Sequence, residues 1–230
     1  MNKSLSVKRV EKKYVIGKLQ AEKLLLKLKQ ALPPDSYAGY EPYYVRSLYF
    51  DSFDNDDYYD KMAGIQNRKK IRLRIYDENP DVIKLELKQK FGVTQQKHSF
   101  SVDRELAEEL MRGRYEGLLE FNDPMLEQIY YLMIKEVYRP KCIVEYERTA
   151  FALPNNDTRI TFDTKVTTSQ GCLDLFAPRS HYRPADIDDL VVLEVKYNHF
   201  LLSYVKDLLA LSDLYIGSYS KYINARQDLV

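Results

Sequence analysis

The chain has 230 residues, of which 45% are hydrophobic and 30% are charged, and its formal net charge is +1. This composition is typical of a globular protein with a substantial core, and the near-zero net charge excludes a general nucleic-acid binder. No apolar run approaches the roughly 18 residues of a membrane span, and no signal-peptide core follows the basic N-terminus. We therefore expect a cytoplasmic chain that forms a single domain over residues 1–230.

Cysteine and histidine give no indication of a metal or nucleophile site. Cys142 and Cys172 lack metal-ligand spacing, and the three histidines are scattered without a zinc motif. Two unpatterned cysteines are typical of a reducing compartment. The candidate functional residues are therefore the charged ones.

In the first half of the chain, strands alternate with two helices. Residues 7–16 alternate at strand spacing, with Arg9, Glu11 and Lys13 on one face, while Lys12 interrupts the apolar face. Asp54 to Asp57 can cap a short helix that ends at Met62. The predicted elements are strand 7–16, helix 19–32, strand 43–51, helix 54–62, strands 70–75 and 83–88, and strand 95–102.

The stretch 67–90 has the clearest pattern. Two runs of charged residues alternate with apolar ones, and a turn at 77–81 separates the runs. This pattern predicts an antiparallel hairpin with one apolar and one charged face. The alternating charged residues are Lys70, Arg72, Arg74, Lys84, Glu86 and Lys88.

The second half contains two helices, further strands and a helical C-terminus. Asp103 and the pair Asp123-Pro124 are helix start signals. The predicted strands are 141–152, 158–165 and 190–197, with an irregular segment at 170–188 and helices at 200–214 and 218–226.

Eight mainly antiparallel strands with leucine-rich helices predict an α+β fold. If the helices pack outside, the apolar strand faces lie beneath them and the charged faces point at one another. A closed eight-stranded barrel then encloses a polar tunnel. The alternative is a sandwich or open sheet whose charged faces meet solvent, which suits the like charges of the hairpin less well.

The tunnel would collect more cations than carboxylates. Such crowding is costly in a partly dehydrated cavity, so an anionic ligand is expected, and a phosphate chain suits staggered arginines and lysines. The few carboxylates are then candidate ligands of a hard divalent metal. The residues in question are Arg9, Lys13, Arg72, Arg74, Lys88, Lys97 and Arg159, with Glu11, Glu86 and Glu194.

A series of motifs in this order resembles one known family. They are R-V-E-K-K-Y, S-L-Y-F-D, D-D-Y-Y-D-K, R-K-K-I-R-L-R-I-Y, L-E-L-K-Q-K, E-R-T-A-F, R-I-T-F-D, L-E-V-K and S-K-Y. The chain resembles, from about Arg9 to Tyr222, the polyphosphate polymerase domain of the vacuolar transporter chaperone (VTC) type, a triphosphate tunnel metalloenzyme.

The resemblance implies metal-dependent transfer of the terminal phosphate of ATP to a growing polyphosphate chain, with ATP, inorganic phosphate and polyphosphate as ligands. It implies Mn²⁺ as the metal, with Mg²⁺ as an alternative, on Glu194; Glu86 and Glu11 are further candidates from the strand pattern. The implied basic residues are Lys13, Arg72, Arg74, Lys88, Lys97, Arg148, Arg159 and Lys221, to which the strand pattern adds Arg9. We assign catalytic roles to Arg72, Arg74, Lys88, Arg148 and Arg159, and substrate binding to Lys13, Lys97, Lys221 and Arg9.

Two positions depart from the family pattern. Ser218 stands where better-known members carry a second lysine. Arg148 shares the strand parity of Cys142, Val144 and Tyr146, so an ideal strand groups it with apolar neighbours unless a bulge intervenes. The chain also shows no SPX-type regulatory domain or membrane segment, so coupled translocation would need a membrane-protein partner.

Two other functions stay open at this point. The same tunnel can pass phosphate to water, as a tripolyphosphate or nucleoside triphosphate hydrolase in which Glu11 or Glu86 orients the water. It can also bind polyphosphate or nucleotide without turnover, and the serine at position 218 favours this alternative.

Overall fold

The computed structural model describes residues 9–77, 80–92, 94–178, 182–185, 190–210, 214–217 and 219–227, with the backbone alone for Arg9. The chain divides into two compact units. Unit 1 comprises residues 1–44, 146–166 and 186–220, and unit 2 comprises residues 45–145, 167–185 and 221–230.

The fold is α+β with antiparallel strand pairs, as predicted. The strands in the described residues are β1 Arg9–Ile16, β2 Tyr43–Asp51, β3 Arg68–Ile75, β4 Ile83–Phe91, β5 Thr94–Val102, β6 Arg139–Leu153, β7 Thr158–Ser169, β8 Arg183–Pro184 and β9 Val191–Asn198. The α-helices are α1 Lys18–Ala31, α2 Asp56–Met62, α3 Arg104–Met111, α4 Pro124–Lys135, α5 Ser203–Leu209 and α6 Lys221–Arg226, and 3₁₀ segments lie at Glu116–Phe121 and Asn155–Asp157. In the part of the chain that is described, no helix combines the length and apolarity needed to cross a membrane.

In unit 1 the strand order is β1, β9, β7 and the second part of β6. One face of these strands is apolar and packs with α1 and α5 in a core that includes Tyr14, Leu28, Phe162, Leu193 and Val205. Because side chains alternate along a strand, the opposite face carries the charged residues. The register places Lys13 and Thr161 directly across from Glu194, and Glu11 and Arg159 across from Lys196.

In unit 2 the strand order is the first part of β6, then β2, β3, β4 and β5, while β8 pairs with the end of β7. Leu48, Leu73 and Leu85 are fully buried on one face. The predicted hairpin is confirmed as β3 and β4, in which Arg72 faces Glu86. On its other side Arg72 faces Tyr49 of β2.

Asp103 and Asp123 cap helices as the sequence predicts. Their carboxylates accept hydrogen bonds from the Leu106 and Met125 amides, each at 2.8 Å. The N-cap of α2 is Asn55, within the predicted stretch Asp54 to Asp57, but its side chain makes no capping hydrogen bond. The Asp51 carboxylate at the end of β2 instead accepts from the Asp57 and Tyr58 amides in the first turn of α2.

Some elements differ from the prediction. The helix predicted over 200–214 covers only Ser203–Leu209, because Ala210 adopts left-handed backbone angles (φ 46°, ψ 47°) that end it. Strand β8 lies inside the segment predicted as irregular. Residues 7–8, two residues of the hairpin turn (Glu78 and Asn79) and Ser218 lie outside the described residues.

Candidate functional site

The charged face of unit 2 is centred on the Glu86 carboxylate, which is only 2% exposed. Arg72 donates to Glu86 Oε2 from Nε at 2.7 Å, and its Nη2 lies 2.6 Å from the same oxygen. Lys97 pairs with Glu86 Oε1, and Arg74 Nε lies 4.0 Å from Oε2. Three cations therefore surround one carboxylate.

The surrounding cations fix the protonation state of Glu86. Burial alone would raise the pKa of this carboxyl, but Arg72, Arg74 and Lys97 lower it to about 2. Glu86 is therefore ionised at neutral pH. Three cations around one ionised carboxylate make this face suited to an anionic ligand.

Further basic residues of unit 2 lie on the same strand face. Lys88 is directly across from Lys97 in the β4–β5 register. Arg74 donates from Nε to Ser47 Oγ at 3.0 Å. Lys221 of α6 lies close enough to Tyr49 that its charge lowers the pKa of that phenol. The structure thus brings together Arg72, Arg74, Lys88, Lys97, Lys221 and Glu86 within unit 2.

The charged face of unit 1 has the Glu194 carboxylate at its centre. Lys13 Nζ lies 3.3 Å from Glu194 Oε2 and 3.4 Å from Glu11 Oε1, and Lys196 Nζ lies 2.5 Å from Glu194 Oε1. Burial opposes the ionised form of Glu194, but Lys196, Lys13 and Arg148 hold its pKa well below the usual range. Burial likewise opposes the charge on Lys13, and Glu194 and Glu11 outweigh it, so the pKa of Lys13 is raised.

Arg148 lies on the charged face despite its strand parity. It donates from Nε and Nη2 to the two oxygens of Asp163, at 2.6 and 2.8 Å, and its guanidinium lies 5.2 Å from the Tyr146 ring centroid. Tyr146 and Arg148 therefore lie side by side on this face. The position that they share along the strand is compatible with a role for Arg148 in the site. Asp163 is therefore the hydrogen-bond acceptor that fixes the Arg148 guanidinium.

Arg159 lies further along β7. Its Nη2 donates to the Tyr43 hydroxyl at 3.0 Å and lies 2.9 Å from Asp35 Oδ2. Unit 1 thus brings together Lys13, Arg148, Arg159, Glu11 and Glu194. The backbone of Arg9 is opposite Asn198 at the start of β1.

Two buried polar atoms of unit 1 have no hydrogen-bond partner among the described residues. They are Thr161 Oγ1 and Arg159 Nε. Buried donors of this kind are normally satisfied, so they indicate that a ligand or ordered water completes this face. Sequence reasoning placed Thr161 on the polar face of its strand but assigned it no role.

The acidic residues fit a divalent metal only together with a phosphate ligand. Among the described residues, no group of three or more His, Cys, Asp or Glu side chains could hold a metal ion. Mg²⁺ and related ions are often held by one or two carboxylates plus substrate phosphates. Glu194 supplies one such carboxylate, and Glu11 shares Lys13 with it.

The fold is shared with two solved proteins of nearly the same length. One is a candidate adenylyl cyclase from Hippeastrum, HpAC1, described as having a dominant triphosphatase activity: it is 16% identical, with a TM-score of 0.58 over 96% of this chain and 97% of that one. The other is a candidate adenylate cyclase from Bacillus halodurans, 11% identical, with a TM-score of 0.53 over 96% of each chain. At these identities the likeness defines the fold class.

The particular family follows from the sequence. The model of the VTC domain matches residues 8–230, which is almost the entire chain. The chain therefore belongs to the VTC domain family, and the resemblance seen in its motifs is confirmed.

Proposed function

We propose that this protein is a polyphosphate polymerase that transfers the terminal phosphate of ATP to a growing polyphosphate chain. The observation that carries the proposal is the cluster of Arg72, Arg74 and Lys97 around the single carboxylate of Glu86, in a chain that belongs to the VTC domain family. Phosphoryl transfer depends mainly on positioning and charge neutralisation, which such a cluster supplies.

In this proposal residues 1–230 form one domain whose eight main strands close into a tunnel lined by charged side chains. The alternation of buried apolar and charged residues within each unit supports it. Arg72, Arg74, Arg148 and Arg159 hold the β- and γ-phosphates. The remaining phosphate charge is met by Lys13, Lys88, Lys97, Lys221 and Arg9.

The acceptor in this reaction is already an anion, so no general base is needed to activate it. A divalent cation, Mn²⁺ or Mg²⁺, supplies charge neutralisation when bound, and Glu194 is the residue that would hold it, with Glu11 nearby. Glu86 is a further candidate, and its two oxygens are engaged by Arg72 and Lys97 as those of Glu194 are engaged by Lys13 and Lys196. We place the protein in the cytoplasm, with a membrane protein as partner if synthesis is coupled to export.

A triphosphate hydrolase is the second candidate, and the triphosphatase activity described for the Hippeastrum protein favours it. A hydrolase requires a group that orients water. The two carboxylates predicted for that role are engaged in ion pairs, Glu86 with Arg72 and Lys97 and Glu11 with Lys13. In the polymerase hypothesis these carboxylates serve the neighbouring cations, and no carboxylate has to orient water.

The deciding experiment incubates the purified protein with ATP and Mn²⁺ and follows the products by ³¹P NMR and gel electrophoresis. We expect polymer with the resonance of internal phosphates. Free phosphate without polymer would establish the hydrolase, and binding of tripolyphosphate without turnover under any metal would establish a binding module. The same assay compares two variants, Arg72→Ala and its matched control Lys84→Ala. Lys84 lies on the adjacent strand, and its ammonium group donates to Ser101 Oγ.

A further inference from the structure

The Arg72 guanidinium is held by a second side chain besides Glu86. Its Nη1 donates to the Tyr49 hydroxyl at 2.9 Å, and its central carbon lies 5.7 Å from the Tyr49 ring centroid. Two of its three nitrogens point at Glu86 and the third at Tyr49. The orientation of the guanidinium plane therefore depends on where the Tyr49 hydroxyl lies.

The Tyr49 ring is in turn held by the C-terminal helix. It stacks on Tyr222 of α6, with ring centroids 5.2 Å apart and an interplanar angle of 28°. Tyr49 is 5% exposed and Tyr222 is 1% exposed. A buried, near-parallel stacking contact of this kind restricts the movement of the Tyr49 ring.

Tyr222 is fixed at the corner between β2 and α2. Its hydroxyl donates to Asp51 Oδ2 and accepts from Arg226 Nη1 at 3.0 Å. Asp51 itself accepts from the backbone amides of Ser52, Asp57 and Tyr58. The Tyr222 hydroxyl therefore donates to a carboxylate whose position is fixed by three backbone amides.

The two ends of this chain of contacts are both charged groups of the candidate site. Arg72 is at one end, and Lys221 precedes Tyr222 at the start of α6. Lys70 Nζ also lies 5.5 Å from the Tyr222 ring centroid, as a further cation beside this ring. Through its stacking on Tyr49, Tyr222 links α6 to Arg72.

We propose that Tyr222 is a positioning residue that holds Tyr49, and through it Arg72, in the orientation that binds the phosphate chain. This inference rests on the proposed function, since it takes a phosphate chain as the ligand of Arg72. It assigns the C-terminal helix two roles in the site, presenting Lys221 and locking the arginine.

The test measures the affinity for inorganic tripolyphosphate by calorimetry, with EDTA present so that no turnover occurs. Tyr49→Phe removes the hydroxyl that accepts from Arg72, and we expect its Kd to rise about tenfold. Tyr222→Leu removes the stacked ring, with an expected rise of about fivefold. Tyr222→Phe keeps the ring and loses the bond to Asp51, with an expected rise of about threefold.

The matched control is Tyr115→Phe, a buried tyrosine of unit 2 whose hydroxyl donates to the Tyr138 carbonyl away from the charged face. It should lower the melting temperature and leave the Kd unchanged. In an Arg72→Ala background, Tyr222→Leu should add no further loss of affinity.

The outcomes separate the two proposals. If Arg72→Ala weakens binding but Tyr222→Leu, or Tyr222→Phe should the leucine variant not fold, leaves the Kd unchanged, the positioning role is wrong and the phosphate site stands. Equal losses from the Tyr222 variants with and without Arg72 also overturn the positioning role. If Arg72→Ala itself leaves the Kd unchanged, the phosphate site and the inference drawn from it both fail.

Discussion

The charged faces of the two units compensate their cations differently. In unit 1 each of four cations has a carboxylate partner: Lys13 with Glu194 and Glu11, Lys196 with Glu194, Arg148 with Asp163, and Arg159 with Asp35. In unit 2 Arg72, Arg74 and Lys97 share the single carboxylate of Glu86.

This difference separates two tasks that a phosphoryl-transfer site must perform. The three cations of unit 2 that share Glu86 suit the binding of an anion, because guanidinium and ammonium groups donate charge-assisted hydrogen bonds to phosphate oxygens. The face of unit 1 suits a metal, because Lys196, Lys13 and Arg148 keep the buried carboxylate of Glu194 ionised. Variants on each face should therefore affect different measurements.

The largest effect is expected from Arg72→Ala in unit 2. Loss of a guanidinium that contacts the transferred phosphates should lower turnover about 10³-fold and raise the Kd for tripolyphosphate, measured without metal. Lys84→Ala should change both by much less. A variant with normal affinity would show that the three cations around Glu86 serve the fold alone.

The next largest effect is expected from Glu194→Gln in unit 1. Turnover should fall about 10²-fold, because the carboxylate that would hold the metal is lost. Tripolyphosphate affinity in EDTA should stay within about twofold of the wild type, since the neutral amide leaves Lys13 and Lys196 in place. Glu147→Gln, which removes an exposed partner of Lys165, is the control. If Glu194→Gln weakened tripolyphosphate binding equally with metal and in EDTA, the proposed division between a metal face and an anion face would be wrong.

Glu86→Gln tests, through the free energy of unfolding, how far Glu86 neutralises the cations around it in unit 2. It leaves the buried Arg74 and the partly exposed Arg72 and Lys97 without this carboxylate, so the free energy of unfolding near neutral pH should fall by about 3 kcal/mol in urea titrations. The folded pKa of about 2 lies below the ordinary 4.5, so the stability from Glu86 is present above pH 4.5 and lost as the pH falls toward 2. The glutamine variant should lack this acid-dependent loss, whereas exposed Glu108→Gln should keep it.

The smallest effect is expected from Asp57, which lies behind the anion site. Burial and the neighbouring Asp51 carboxylate raise the pKa of Asp57 from 3.8 to about 7. A raised folded pKa means that stability is lost as the pH rises from about 4 to about 7. Asp57→Asn should remove this slope and be more stable by about 2 kcal/mol above pH 7. Asp54→Asn, at an exposed position, should retain the wild-type slope.

Much of the fold could be predicted because strand periodicity is a local property. Alternation along 70–75 and 83–88 correctly identified β3, β4 and their charged face, and Asp103 and Asp123 correctly marked helix starts. The early end of α5 was missed, because the left-handed conformation of Ala210 has no signal in that residue type.

The contacts of the site could be predicted less well. The alternation of Lys13 and of Glu194 in their strands indicated which face each would occupy. It could not show that Glu86 binds Arg72 and Lys97, because ion pairs depend on strand register and side-chain reach. Tyr49 and Tyr222 were hidden among twenty tyrosines, and only their stacking distinguishes them. The catalytic and substrate-binding roles came from family resemblance and stay predictions.

The most direct test of the central claim is a crystal structure with Mn²⁺ and a non-hydrolysable ATP analogue. We predict that the triphosphate lies within hydrogen-bonding distance of Arg72 and Arg74 and that the metal lies on Glu194. A triphosphate bound elsewhere, with the Arg72–Glu86 pair facing only solvent, would contradict the account.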